Sequence, residues 1–173
     1  TVVFAASFGN FDNKSTQTQI TVTLVNEKKE WDVDGTYTLK AEDIPNVTAI
    51  PGYDPDSKSW DPQPVGAEIS KDGGVFYVTF SPLGQTYTVQ HIDEDTDDVL
   101  QTDPAADAKY GEVIIGESKK TEIDDYTFVR AENLTVGTDN DKNIVKVYYS
   151  KDKNDDNIPD KYQATVVFAA SFG

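Results

Sequence analysis

The chain has neither cysteine nor methionine, and one histidine, His91. Without cysteine there is no disulfide framework, so any stapling must come from side-chain packing or bound metal. Positive charge is scarce. Fifteen Lys and Arg against 31 Asp and Glu leave a formal net charge of −16 over 173 residues. Such a surface repels DNA, RNA and anionic lipid, which excludes nucleic-acid binding, and it attracts divalent cations. Long apolar runs are missing too. Nothing approaches the roughly 20 residues that a membrane-spanning helix needs. Aromatics are not scarce: nine Tyr, eight Phe and two Trp argue for a packed core despite the charge.

What is present begins with a repetition. Thr1-Val2-Val3-Phe4-Ala5-Ala6-Ser7-Phe8-Gly9 returns letter for letter as residues 165–173, an offset of 164 residues. The simplest reading is one period of a tandem array followed by the first strand of the next copy. The other reading is a nonapeptide appended to complete a fold, a choice that still needs a native repeat behind it. The segment reads as a strand, β-branched and aromatic, uncharged, ending in Gly.

The pattern predicts a mainly β fold, β-rich α+β at most, in two small modules. In the first, residues 1–82, strands are expected at Thr1–Phe8, Thr16–Val25, Thr36–Leu39 and Val75–Phe80. The first two form a hairpin, and one helical turn lies at Lys40–Pro45. Pro82-Leu83-Gly84-Gln85 reads as a linker. The second module, residues 86–150, is expected to hold strands at Tyr87–Ile92, Val99–Gln101, Tyr110–Ile115, Tyr126–Val129 and Ile144–Tyr149. Asp93–Asp98, five acids in six residues, reads as a solvated hairpin tip, and Thr102–Ala108 as a short helical turn. Residues 164–173 are expected to be the first strand of the next repeat.

Residues 151–163 carry the most specific chemistry. Asp152, Asn154, Asp156 and Asp160 stand at positions 1, 3, 5 and 9 of a loop, with the Ile158 carbonyl at position 7 and Gln163 at position 12. That spacing turns successive oxygens towards one Ca²⁺, a hard ion that takes six to eight of them. Two positions depart from the pattern: Asn157 replaces the usual Gly at position 6, and Gln163 the usual Glu. The alternative is a solvated acidic linker.

The stretch resembles the DxNxDGIPDKYQ-type linkers between repeats of Gram-positive surface proteins, which are similar to thrombospondin type 3 calcium loops. That resemblance implies a calcium-stiffened joint. Tyr87-Thr-Val-Gln-His-Ile-Asp-Glu-Asp95, the step Tyr110-Gly-Glu-Val113, Ile123-Asp-Asp-Tyr126 and Asn143-Ile-Val-Lys-Val-Tyr-Tyr149 resemble a MucBP (mucin-binding protein) repeat. It implies a β-grasp-like surface module. The match departs at Asp125, where the family has Gly, and in the acidic hairpin, which also lacks its Gly. Leu39–Pro45, Gly52-Tyr53, Ser59-Trp60-Asp61-Pro62 and Val75–Phe80 resemble SHIRT-like and internalin B-repeat-like modules.

Catalytic signals are weak. His91 is read as a surface strand histidine facing away from Val89, and no Ser or Thr lies in a nucleophile-elbow pattern. The Asp93/Asp95/Asp97 series and the Asp139/Asp141 pair read as solvated acids. Trp60 is expected in the core, and Trp31, between Glu30 and Asp32, is the candidate for exposure and glycan contact. A Lys146–Asn143 isopeptide bond is a further option. The expectation is therefore a non-enzymatic, extracellular, cell-wall-anchored stalk segment. Its partners would be neighbouring repeats, with strand exchange between copies. Host mucin-glycan binding is the alternative role.

Overall fold

The computed structural model describes residues 1–28, 31–164, 166 and 168. The chain is mainly β, and among the described residues its helical pieces are 3₁₀ turns of three or four residues. It divides into two compact units, Thr1–Leu83 and Gly84–Gly173. The strand expected at 164–173 falls mostly outside the described residues.

The strands of the first unit are β1 Val2–Ser7, β2 Gly9–Phe11, β3 Gln17–Ile20, β4 Tyr37–Thr38, β5 Val47–Ala49, β6 Ser59–Asp61, β7 Glu68–Ile69 and β8 Gly74–Thr79. Four of them make a sheet in the order β3-β1-β8-β6. β1 runs antiparallel to β3 and parallel to β8, with Val2 opposite Gly74 and Ser7 opposite Thr79. Alternation sends Val2 and Phe4, with Phe76 and Val78, into the core, and leaves Val75 and Tyr77 exposed. Phe4 stacks on Phe76 at 5.7 Å and meets Trp60 edge-on at 5.8 Å, so Trp60 helps to close the core. Each such buried side chain stabilises by about 1.5–3 kcal/mol.

Local chemistry explains the bends. Phe8 turns the chain between β1 and β2 at φ 63°, and its ring stacks on Tyr53 at 4.3 Å. Gly73, at φ 76°, must be glycine, because a Cβ there would stand 2.2 Å from the Thr1 carbonyl oxygen. The helical turn after Lys40 is the 3₁₀ turn Ala41–Asp43, where the Asp43 carboxylate accepts the Lys40 N–H at 2.9 Å and the Tyr37 hydroxyl at 2.8 Å. The strand expected over Thr16–Val25 is shorter than its alternation suggests. β3 stops at Ile20 because Ile20 already stands opposite Val2, the first residue of β1.

The second unit holds β9 Gly84–Asp93, β10 Val99–Thr102, β11 Ala106–Lys109, β12 Val113–Ile114, β13 Tyr126–Ala131, β14 Leu134–Thr135 and β15 Ile144–Lys151. The order is β10-β9-β15-β13, and β11 pairs with the first part of β9. β9 and β15 are parallel, from Thr88 opposite Ile144 to Asp93 opposite Tyr149. Tyr87, Val89, Ile114, Val136, Val145, Val147 and Tyr149 form the core. Thr102–Ala108 is not a helical turn. Pro104 disfavours helix at the residue before it, and β9 is long enough to pair with β11 as well as with β10. Within Tyr110–Ile115 only Val113–Ile114 is strand, because Gly111 turns the chain at φ 77°.

Candidate metal centre

Asp152 to Gln163 leave β15 as a tight loop. Asp152 is 2% exposed, and its N–H donates to the Asp125 carbonyl at 2.7 Å. Its carboxylate accepts the N–H of Asp156 at 3.3 Å and of Asn157 at 2.8 Å, which folds the loop back on itself. Asp155 and Asn157 take left-handed backbone, at φ 56° and 65°. Asn and Asp enter that region more readily than other side chains, which is how the loop does without its glycine.

The far end of the loop closes on Gln163. Gln163 Nε2 donates to both Asp156 carboxylate oxygens, at 2.8 and 3.0 Å, and to the Ile158 carbonyl at 2.9 Å. Asn154 Nδ2 donates to Asp156 Oδ2 at 2.9 Å and to Gln163 Oε1 at 3.2 Å. Asn154, Asp156, Ile158 and Gln163 are thus brought together. Asp152 and Asp160 are instead held on backbone amides of the same loop, Asp160 Oδ1 accepting the Lys153 N–H at 3.3 Å.

Among the described residues, no three His, Cys, Asp or Glu side chains gather as a metal-holding group. The convergent set here mixes a carboxylate, a carbonyl and two amides. Turning the two amides over would make every inward atom an oxygen, a donor set that fits Ca²⁺ and not zinc or copper.

A second tie holds the loop down. Asp160–Tyr162 is a 3₁₀ turn, and Lys161 Nζ lies 2.8 Å from Asp95 Oδ1 and 3.7 Å from Glu94 Oε2. The other Asp95 oxygen accepts the Ser150 hydroxyl. The Lys161 ammonium, then the Ser150 hydroxyl, hold the Asp95 carboxyl below its ordinary value, and Asp95 in turn raises Lys161. Sequence reasoning missed this tie, because its partners lie 66 residues apart.

The acidic tip is not simply solvated. Asp93 is 2% exposed, accepts the Asp95 N–H at 2.9 Å and the Tyr126 hydroxyl at 3.2 Å, and cannot serve as a free cation ligand. Glu94 pairs with Arg130 at 2.7 Å, whose guanidinium lies 3.7 Å over the Tyr148 ring. Asp97 turns the tip at φ 61°, and Asp125 sits at φ 62°. Both adopt the left-handed backbone that favours Gly. Asp139 caps the turn Asn140–Lys142, accepting the Asp141 N–H and pairing with Lys142 at 3.0 Å.

His91 is not a surface residue; it is fully buried. Residues two apart on a strand share a face, so His91 stands inward with Tyr87 and Val89. Its Nδ1 faces the Tyr149 hydroxyl at 3.1 Å, and its Nε2 faces Asp103 Oδ2 at 3.2 Å. The Tyr149 hydroxyl donates to the Thr121 carbonyl at 3.0 Å and accepts the Thr121 N–H at 2.9 Å. These bonds knit core strands to a loop.

Trp31 is 81% exposed. Asn143 is buried, and its amide bonds Thr86 and Gly137 backbone groups, at 2.8 to 3.1 Å, as a structural clip.

No family model matches this chain, and no curated protein matches it.

Proposed function

We propose that this chain is a repeat unit of an extracellular, cell-wall-anchored bacterial stalk, with two β-rich modules in series and the 151–163 loop as a calcium-stiffened joint. The role is mechanical, not enzymatic: spacing a distal tip from the wall. The observation that carries it is the return of one nonapeptide after 164 residues, with Val166 and Phe168 described in the second copy. In its first copy Val2 and Phe4 are fully buried in the middle of a sheet. In its second copy the corresponding Val166 and Phe168 are 69% and 92% exposed. Serial copies would give the second nonapeptide a sheet of its own, and each repeat would contact only its neighbours. A second copy of the chain could supply that sheet by strand exchange.

The MucBP-like and SHIRT-like readings of the two modules rest on their motif residues. The parallel pairing of first and last strands supports a β-grasp-like arrangement in each.

At the joint, Asn154, Asp156, the Ile158 carbonyl and Gln163 would hold the ion, while Asp152 and Asp160 stay on the backbone amides of the loop. Bound Ca²⁺ would cross-link carboxylate and carbonyl oxygens. The chain's own part is to pre-fold the loop through the Asp152 and Asp160 backbone bonds. Lys161 then fixes the loop's direction against Asp95.

Solution scattering tests the role. Concatemers of one, two and three copies should gain a constant increment in maximum dimension, and chelator should soften that growth. A compact three-copy particle would overturn the stalk. The glycan-binding alternative is favoured by the exposed Trp31; reproducible binding on a mucin-glycan array, lost in Trp31→Ala, would establish it.

A further inference from the structure

We propose that each unit is built to carry tension along the chain, and does so through the parallel ladder between its first and last strands.

Tension enters the first unit at Thr1, one residue before β1, and leaves beyond Thr79, where β8 ends. β1 and β8 are hydrogen-bonded neighbours in parallel, paired residue by residue from Val2–Gly74 to Ser7–Thr79. In a parallel pair, the start of one strand and the end of the other lie at opposite ends of the ladder. Pulling them apart slides one strand along the other and loads every rung together. If the first and last strands were antiparallel neighbours, the pulled ends would lie side by side and the rungs would open one at a time.

The second unit repeats the arrangement. Tension enters at Gly84, where β9 begins, and leaves after Lys151, where β15 ends. β9 and β15 are parallel neighbours from Thr88–Ile144 to Asp93–Tyr149. Backbone bonds extend this ladder at both ends: Thr88 N–H to the Asn143 carbonyl at 2.9 Å, and Glu94 N–H to the Tyr149 carbonyl at 2.8 Å.

Three further features suit a sheared ladder. Both strands of each pair are internal to their sheet, β3 and β6 flanking one pair and β10 and β13 the other, so sliding also disturbs antiparallel ladders on each side. The sliding faces are the core faces. Phe4 rests on Phe76 in one unit, and Val89 and His91 stand beside buried Val145, Val147 and Tyr149 in the other. The way out of the first unit is pinned as well, by Asp54 N–H to the Ser81 carbonyl and Leu83 N–H to the Gly52 carbonyl, both at 2.9 Å.

Parallel first and last strands are a costly choice for a small unit, since a long crossover must be closed before the ladder forms. The same strand order nevertheless occurs in both units. Resistance to force is set by the unfolding barrier along the pulled direction rather than by equilibrium stability. The inference borrows from the stalk reading only that tension runs along the chain, and it needs no calcium.

Single-molecule pulling tests it on the full chain. Because the chain has no cysteine, two introduced thiols define the pulled points. Thr1→Cys with Ala164→Cys loads both ladders in shear. Thr1→Cys with Asp72→Cys opens the β1–β8 ladder from one end, and Gly84→Cys with Lys142→Cys does the same to β9–β15. The shear pair should show two unfolding events, releasing about 300 and about 240 Å of chain at roughly 3.6 Å per residue. Each should need a mean force several-fold above the matching end-opening event. All variants should melt like the parent; Lys71→Cys replaces Asp72→Cys if that one does not. Equal forces in the two geometries, or no resolved events in shear, would overturn the inference. Failure of the concatemers to lengthen would remove the stalk and leave this result standing.

Discussion

Gln163 Nε2 lies 2.8 and 3.0 Å from the two carboxylate oxygens of Asp156, so an amide N–H sits where a ligated cation would draw them. The loop is thereby held shut by its own side chains in a shape that an all-oxygen site would share after two amide rotations.

Calcium titration should therefore show one site per chain, and the heat should vanish in Asp156→Ala. Gln163→Glu supplies the missing charge at position 12 and should tighten binding by about tenfold or more. Magnesium should bind more weakly, because it dehydrates reluctantly and demands a stricter octahedron. Isothermal calorimetry with and without chelator is the check. Unchanged heat in Asp156→Ala would remove the ion from the joint.

Phe4 and Phe168 occupy the same place in two identical nonapeptides, and Phe4 is fully buried while Phe168 is 92% exposed. Phe4→Ala should cost about 3–5 kcal/mol through the cavity it leaves against Phe76 and Trp60. Phe168→Ala should shift stability by no more than about 0.5 kcal/mol in the single chain. Urea melts of the two variants compare them directly.

Lys161→Ala removes the tie between the 160–162 turn and Asp95. The cores should be untouched, so the melting temperature should barely move. Amide exchange at 160–163 and protease nicking of the loop should both rise. An exchange pattern identical to the parent would show that the loop holds its direction without the lysine.

Acid should weaken the second unit. Burial alone would raise the Asp103 carboxyl, but hydrogen bonds from Gln101 and His91 outweigh it and hold the value low. A group that binds its proton more weakly when folded contributes fully above its unfolded value of about 4, and loses that contribution as pH falls through the folded value. Asp95 and Glu132 act in the same direction. Asp103→Asn should flatten the fall in melting temperature between about pH 5 and pH 2.

His91→Ala should destabilise the second unit by about 2–4 kcal/mol, since it opens a cavity and takes a partner from the buried Tyr149 hydroxyl. Near-neutral behaviour would mean that Tyr149 is satisfied by Thr121 alone.

Much of the fold was legible from periodicity. Val75–Phe80 and Ile144–Tyr149 announce themselves by β-branched and aromatic residues, and both are strands. The turn at Asn157 was readable from the residue's tolerance of left-handed backbone. The helical turn expected over Thr102–Ala108 was not correct: a cap-like Thr or Asp says nothing of the unpaired stretch of β9 waiting for β11. His91 was misplaced by a period-two slip along its strand, and no local signal revealed Asp103 and Tyr149 as its partners.

The sequence by itself determined the strand-rich character, the repeated nonapeptide and the oxygen spacing of the 151–163 loop, because each is written in the order of residues and needs no knowledge of which segments meet in space. Tertiary structure alone decided that first and last strands lie side by side in parallel, that Lys161 reaches Asp95, and that Phe4 is buried while Phe168 is not. Those outcomes depend on which distant segment fills the neighbouring place in a sheet, and identical residues have no say in that.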